Sequence, residues 1–468
     1  MLGRVIPKWW PSRGFLAGLA LSAPFVANPY PTSVAVLLLL PLLFDLVLRG
    51  IHFRQLFTWQ PIHFVIAALA TLHLVALAMN TTPFFTETFI FLVWSGGVVG
   101  ISLLASYSDD RPDDIVWGLF AALAATSVPI AAAGLAKYGL QQHGILFGSM
   151  INSCFGRYPQ GTTFCGDYNL FGLYLGGAAI GISAFILCTK GRPFLLAVLL
   201  VSLSIVLAAG FFAGSRRFLA LAALVALFWA THAFVSPKRV AYTAILPAFL
   251  LAAMYGYFSA PRDKVADENT VTIEQMVAGA LGLPAQPSPM EIAASRQPPR
   301  GTSGPMSTDE KGHPRVLAAR DVSPTALAST LEDDMGFASR VEKWSLGWDM
   351  VKQNGYFWGQ GFNYHRVFSC RFVDCEYIDY PHAPILSAWI GFGVLGLVLS
   401  FAFYAITGIN ILLAGRIGLL SGVSFFALGV MPYSLISGDT IFSLPHAVIA
   451  AVLASIIVAQ KKKNKRNA

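Results

Sequence analysis

The sequence predicts an all-α protein: a polytopic membrane helix bundle of about twelve transmembrane helices, with a large periplasmic loop between helices 9 and 10. Three observations predict it. Hydrophobic residues make up 55% of the 468 and charged residues only 12%, roughly half the charged share of a soluble globular chain. The apolar residues are gathered into windows of about twenty, the length that carries a helix across a hydrocarbon core of roughly 30 Å. The Lys and Arg residues in the short connections fall predominantly on one side.

The windows place spans near 13–29, 31–48, 61–79, 84–105, 115–136, 167–188, 192–210, 214–234, 239–259, 384–412, 416–436 and 441–459. The first is flanked by Arg4, Lys8 and Arg13 and carries no small-residue cleavage site, which suits a retained anchor. If the spans alternate, the N-terminal flank, Arg49, Arg54, Arg111, Lys190, Arg192, Lys238, Arg239, Arg416 and the basic tail 461–466 share one side. The excess of cations makes that side the cytoplasm, so both termini are expected inside a bacterial inner membrane. The opposite side's short connections hold Lys137, Arg157, Arg216 and Arg217. A net charge of +8 is then a consequence of topology, and no nucleic-acid partner is implied.

Three regions follow: helices 1–9 over 1–259, the outward loop 260–382, and helices 10–12 with the basic cytoplasmic tail over 383–468. A medium outward segment, 137–166, has the glycine and polar content of a cover over the bundle. Within the long loop, 262–335 is rich in proline and scattered charge and reads as a flexible insertion. Residues 339–355 read as an amphipathic helix, with Val341, Trp344, Trp348 and Val351 on one face and Asn354-Gly355 as its stop. Ser339 and Glu342 fit a capping box, which puts Arg340 in the first turn, where a cation opposes the helix dipole unless an anion binds beside it. Four of the five cysteines, Cys154 with Cys165 and Cys370 with Cys375, fall in outward segments. Each pair is either a short disulfide loop or two unpaired small residues.

Candidate chemistry gathers at the outer boundary. Gly214-Ser215-Arg216-Arg217 opens a span, and two tandem guanidinium groups at a helix start make an anion site as well as a lipid-phosphate contact. Tyr380-Pro381-His382-Ala383-Pro384 closes the long loop. Its two prolines stiffen the chain around a histidine whose near-neutral pKa suits a proton acceptor. Arg217, Asn169, Asp439 and Trp344 are the further candidates for substrate contact, while Glu87, Asp167 and His446 read as caps or interfacial hydrogen bonders. His73, mid-span, reads as a packing histidine. The aromatic group Tyr356, Phe357, Trp358, Phe362 and Tyr364 reads equally as a sugar-stacking surface or an interfacial anchor. Metal-binding and nucleotide-binding motifs are absent, so no metal and no cofactor is expected. Gly359-Gln360-Gly361 lacks the strand and helix of a dinucleotide loop and reads as a tight turn.

Four segments, GDYNLFGLYL at 166–175, GSRRFLALA at 214–222, SRVEKWSLGWDMVKQNGYFWGQGF at 339–362 and YPHAPILSAWIGFGVLGL at 380–397, resemble the O-antigen ligase and polymerase superfamily. These are membrane glycosyltransferases that use polyprenyl-diphosphate-linked glycans. The resemblance implies that Arg216 and Arg340 contact the donor diphosphate and that His382 activates the acceptor, lipid A-core or another glycan. The chain departs from the family pattern at Ala383, where an asparagine is usual, and residues 262–335 match nothing in it. A ligase and a polymerase are both compatible with these segments. A lipid-linked-glycan flippase is the reading from a different class, disfavoured because the ionisable residues collect at the outer face and no internal repeat is evident.

Overall fold

The computed structural model describes residues 60–79, 112–142, 145–146, 162–163, 168–189, 191–233, 271–272, 335–354, 356–361, 364–372, 380–414 and 419–437, with single helical residues within 14–22, 244–255 and 449–457. Among the described residues the protein is helical, apart from one pair of two-residue strands. The helices are α1 (Pro61–Met79), α2 (Pro112–Gln142), α3 (Tyr168–Cys188), α4 (Pro193–Phe212), α5 (Arg216–Ala233), α6 (Met335–Gln353), α7 (Tyr364–Phe372), α8 (Pro384–Ala414) and α9 (Leu419–Ser437). The strands β1 (Ile145–Leu146) and β2 (Val271–Thr272) pair in parallel. They tie the segment 137–166 to the first part of 262–335, most of which lies outside the described residues.

Four of these helices contain stretches long and apolar enough to cross a membrane: Val116–Leu140, Phe171–Cys188, Pro193–Phe212 and Pro384–Ala414. Proline is the first residue of α1, α2, α4 and α8. There its fixed φ suits the helix, and its missing N–H is one that no helical carbonyl would have met. The windows expected at 31–48 and 84–105, and most of those at 13–29, 239–259 and 441–459, lie outside the described residues.

The bundle is built around α3, which packs on α2, α4, α5 and α9. Its glycines make this possible. A Cβ at Gly176 would meet Leu221 of α5, one at Gly177 the ring of Phe426 of α9, and one at Gly181 the ring of Phe120 of α2. With no hydrophobic driving force between helices in lipid, such close approach is what supplies packing energy. A single apolar core runs through these helices and includes Phe120, Phe171, Phe218, Phe228 and Phe426.

A second, smaller core joins α6 and α7 to α8. Met350 and Val351 of α6, Tyr364 and Phe368 of α7, and Ile390 of α8 are buried against one another. The amphipathic helix differs from expectation in two respects. It begins at Met335, so Ser339 and Glu342 fall inside the helix and not at its start, where a capping box would be. Its buried side is centred on Gly347, Met350 and Val351, while Val341 and Trp348 are exposed and Trp344 is half-buried. Docking onto α8 at Leu386 and Ile390, which the absent Gly347 side chain allows, sets this face.

Candidate active site

The GSRR segment folds as a helix start. Ser215 is buried and its Oγ accepts the backbone N–H of Phe218 at 3.4 Å, an N-cap bond for α5. Arg216 and Arg217 are therefore the first two residues of the helix, with no acidic residue in that turn. Two cations there oppose the helix dipole and leave a place for an anion. The dipole argument expected for Arg340 thus applies to α5 instead, since Arg340 lies in the second turn of α6 and is half-buried. Arg217 is also half-buried. The side chain of Arg216 lies outside the described residues, as does that of Asn169 on α3.

Beneath this corner sits a cation that the sequence reading assigned to a connection. Lys137 is inside α2, 1% exposed, and donates to the Thr163 carbonyl. Thr162 Oγ1 donates to the Ala209 carbonyl of α4 at 2.6 Å, and Tyr138 stacks on Phe212 with centroids 5.2 Å apart. Segment 162–163 therefore bridges the ends of α2 and α4 a few residues before Ser215. Its signal was a lone Lys at the edge of an apolar run, which window methods take as the end of a span.

His382 is held in an unusual way. Its φ is 54°, a left-handed conformation that few non-glycine residues adopt. Buried Pro381 and Pro384 flank it, and the first helical bond of α8 runs from the Ser387 N–H to the Ala383 carbonyl at 2.8 Å. Strain of this kind persists where surroundings over-determine it. Here the surroundings are rings: Tyr380 lies against His382 with centroids 4.2 Å apart, and His365 of α7 meets Tyr380 edge-on at 6.1 Å. Burial pushes the His365 imidazole down to about 4, so it stays neutral beside Tyr380 at neutral pH. No sequence motif singled out His365; its only signal is a histidine within an aromatic segment.

After α6 the chain passes directly along a break in α8. Gly393 has φ 66° and ψ −157°, which interrupts the helix and frees its neighbouring backbone groups. The Gln360 and Gly361 N–H groups donate to the Ile390 and Gly391 carbonyls, both at 2.8 Å, and the Val394 N–H donates to the Phe357 carbonyl at 3.2 Å. Gly359-Gln360-Gly361 is thus spliced onto α8, with Gly361 at φ 78° turning the chain into α7 through the Tyr364 N–H donating to its carbonyl at 3.3 Å. Trp389 Nε1 donates to the Tyr356 carbonyl at 2.8 Å, and Trp348 packs edge-on against both Trp389 and Tyr356. The helix carrying Arg340 and the segment carrying His382 are in this way locked to the same end of α8.

Asp439, Cys154, Cys165, Cys375, Asp167, Glu87, Phe362 and His446 lie outside the described residues, as does the side chain of His73. Cys370 is disulfide-bonded, and Cys188, at the end of α3, is an exposed thiol. No group of three or more His, Cys, Asp or Glu with metal-binding geometry occurs among the described residues. No protein-family model matches the chain, and no curated protein matches it.

Proposed function

We propose that the protein is a bacterial inner-membrane glycosyltransferase, O-antigen ligase-like, that moves a glycan from a polyprenyl-diphosphate donor to an acceptor at the periplasmic face. The observation that carries this reading is the rigid, strained placement of His382 at the point where loop meets membrane helix, with the Arg340 helix docked on the same helix end. The resemblance of the four segments supplies the substrate class. A lipid-linked donor suits such a site, because its tail stays in the bilayer while its head group and glycan project outward.

In this scheme His382 takes the proton of the acceptor hydroxyl as that oxygen attacks the anomeric carbon. The bond from that carbon to the diphosphate oxygen breaks, and the electron pair leaves with the polyprenyl diphosphate. Arg340 and the α5 start bearing Arg216 and Arg217 neutralise the developing charge, helped by the α5 dipole. Removing one fixed contact of this kind commonly costs about 3 kcal/mol, on the order of a hundredfold in rate.

The test is in vitro transfer from a polyprenyl-diphosphate-linked glycan by purified wild type and by Arg216→Ala, Arg340→Ala and His382→Ala, each checked for folding. Transfer by wild type and its loss in the folded variants is the expected result. Equal transfer by all four removes these residues from the chemistry, and no transfer by any puts flipping of the lipid-linked glycan in its place. Product length separates ligase from polymerase: transfer of finished glycan to lipid A-core is expected, and joining of lipid-linked repeats would make the chain a polymerase.

A further inference from the structure

Phe357 and Trp358 are 69% and 80% exposed, beside half-exposed Tyr356, at a place where the backbone is pinned. Tyr356 takes a left-handed φ of 67°, its carbonyl is held by the Trp389 indole, and the Phe357 carbonyl is held by the Val394 N–H. Fixed large aromatic side chains pointing away from the protein call for a partner.

The geometry of α8 says which. Its 31 residues amount to about 46 Å of helix, more than the roughly 30 Å of a hydrocarbon core. The break at Gly393 divides it. Residues before the break pack against α6 and α7, including Leu386 and Ile390 in the smaller core. Residues 394–414 amount to about 31 Å, which matches the apolar thickness. Leu395, Val398 and Phe401 follow directly after the break and are exposed on this span. The aromatic lip is hydrogen-bonded to α8 at the break itself, through the Phe357 carbonyl and the Val394 N–H, so it sits at the end of that span.

We infer that Tyr356, Phe357 and Trp358 form a lip seated in the interface of the lipid bilayer, gripping phospholipid and thereby fixing α6 to the membrane surface. Aromatic rings at headgroup depth are the usual anchors of spanning helices; here the anchor belongs to a loop spliced onto the helix. A sugar-stacking role is the competing reading, and glycan adducts in the experiment below would show it. The inference does not depend on glycan transfer.

The experiment places a photoreactive benzophenone side chain at Phe357 or Trp358, one at a time, in the full chain reconstituted into phospholipid vesicles, and identifies adducts by mass spectrometry. Leu395, exposed on the span, and Asp349, exposed on α6, serve as the lipid-facing and water-facing references. Phospholipid adducts at 357 and 358 within severalfold of the Leu395 yield are expected. A yield at the Asp349 level at both positions overturns the inference, and so do adducts mainly to glycan or to a second copy of the chain. Having two probe positions keeps the test decisive if one variant fails to fold.

Discussion

The rings of Tyr380 and His382 lie 4.2 Å apart across the single residue Pro381, with His382 in a left-handed conformation. The tyrosine ring therefore limits where the imidazole can point, and its own position is limited by His365. Replacing Tyr380 with Phe keeps the ring contact and is expected to retain transfer within a few-fold. Tyr380→Ala frees the imidazole and should lower kcat by at least tenfold while leaving KM nearly unchanged, because positioning errors of about 1 Å at a reacting group are costly. Steady-state kinetics on the two variants checks this. Equal loss in both would point to the hydroxyl and not the ring.

His365 carries a pH dependence of stability whose sign follows from its burial. Its folded-state pKa of about 4 lies below the unfolded value near 6.5, so the unfolded chain binds a proton first as the pH falls. The contribution is fully present above pH 6.5 and is lost as the pH falls toward 4, amounting to about 3 kcal/mol at most. Thermal unfolding in detergent between pH 7 and 4 measures it. His365→Phe, which keeps an aromatic ring against Tyr380, should flatten that part of the profile relative to wild type, and an unchanged slope would assign it to other groups.

The long apolar helices are readable because their signal is local. A continuous apolar window bounded by proline reproduces α1 at 61–79 and the starts of α4 and α8 to within a residue. What was not readable depends on contacts distant in sequence. Ser339 and Glu342 have the spacing of a cap, but nothing in the sequence says that Met335–Ala338 already extends the helix. The break at Gly393 is hidden because glycine is common in membrane helices, and only the loop carbonyl of Phe357 shows why this one matters. Of the candidate site, the constrained setting of His382 between prolines was legible locally, whereas the first-turn placement expected for Arg340 failed with the cap, and His365 and buried Lys137 emerged only from the packing of α7 and of segment 162–163.

Lys137 joins α2 to segment 162–163 through the Thr163 carbonyl. Lys137→Met keeps most of the buried stem but removes the donor, leaving a buried carbonyl without that bond. The expected loss is about 1–3 kcal/mol. A fall in the midpoint of thermal unfolding, with a smaller effect for Lys137→Arg, is the outcome that fits. If the methionine variant is as stable as wild type, the lysine is not holding the segment.

Gly393 is where segment 356–361 is fastened to α8, and its replacement tests that fastening. Its φ and ψ fall in a region that essentially only glycine occupies, so alanine there costs about 1–3 kcal/mol in backbone strain alone. The new Cβ would also collide with the Phe357 carbonyl, which is rigid backbone and cannot swing aside. Either the break refolds to a continuous helix, which clears the clash by expelling 356–361, or the loop separates while the break stays. Both outcomes remove one of the ties that hold α6 to the His382 end of α8, leaving its docking at Leu386 and Ile390. Gly393→Ala should therefore lower transfer far more than the neighbouring substitution Val394→Ala and should open 354–361 to limited proteolysis, while Gly408→Ala, where an added methyl meets nothing within 4 Å, should do neither. Retained protection of 354–361 in Gly393→Ala would mean that the splice holds without the break.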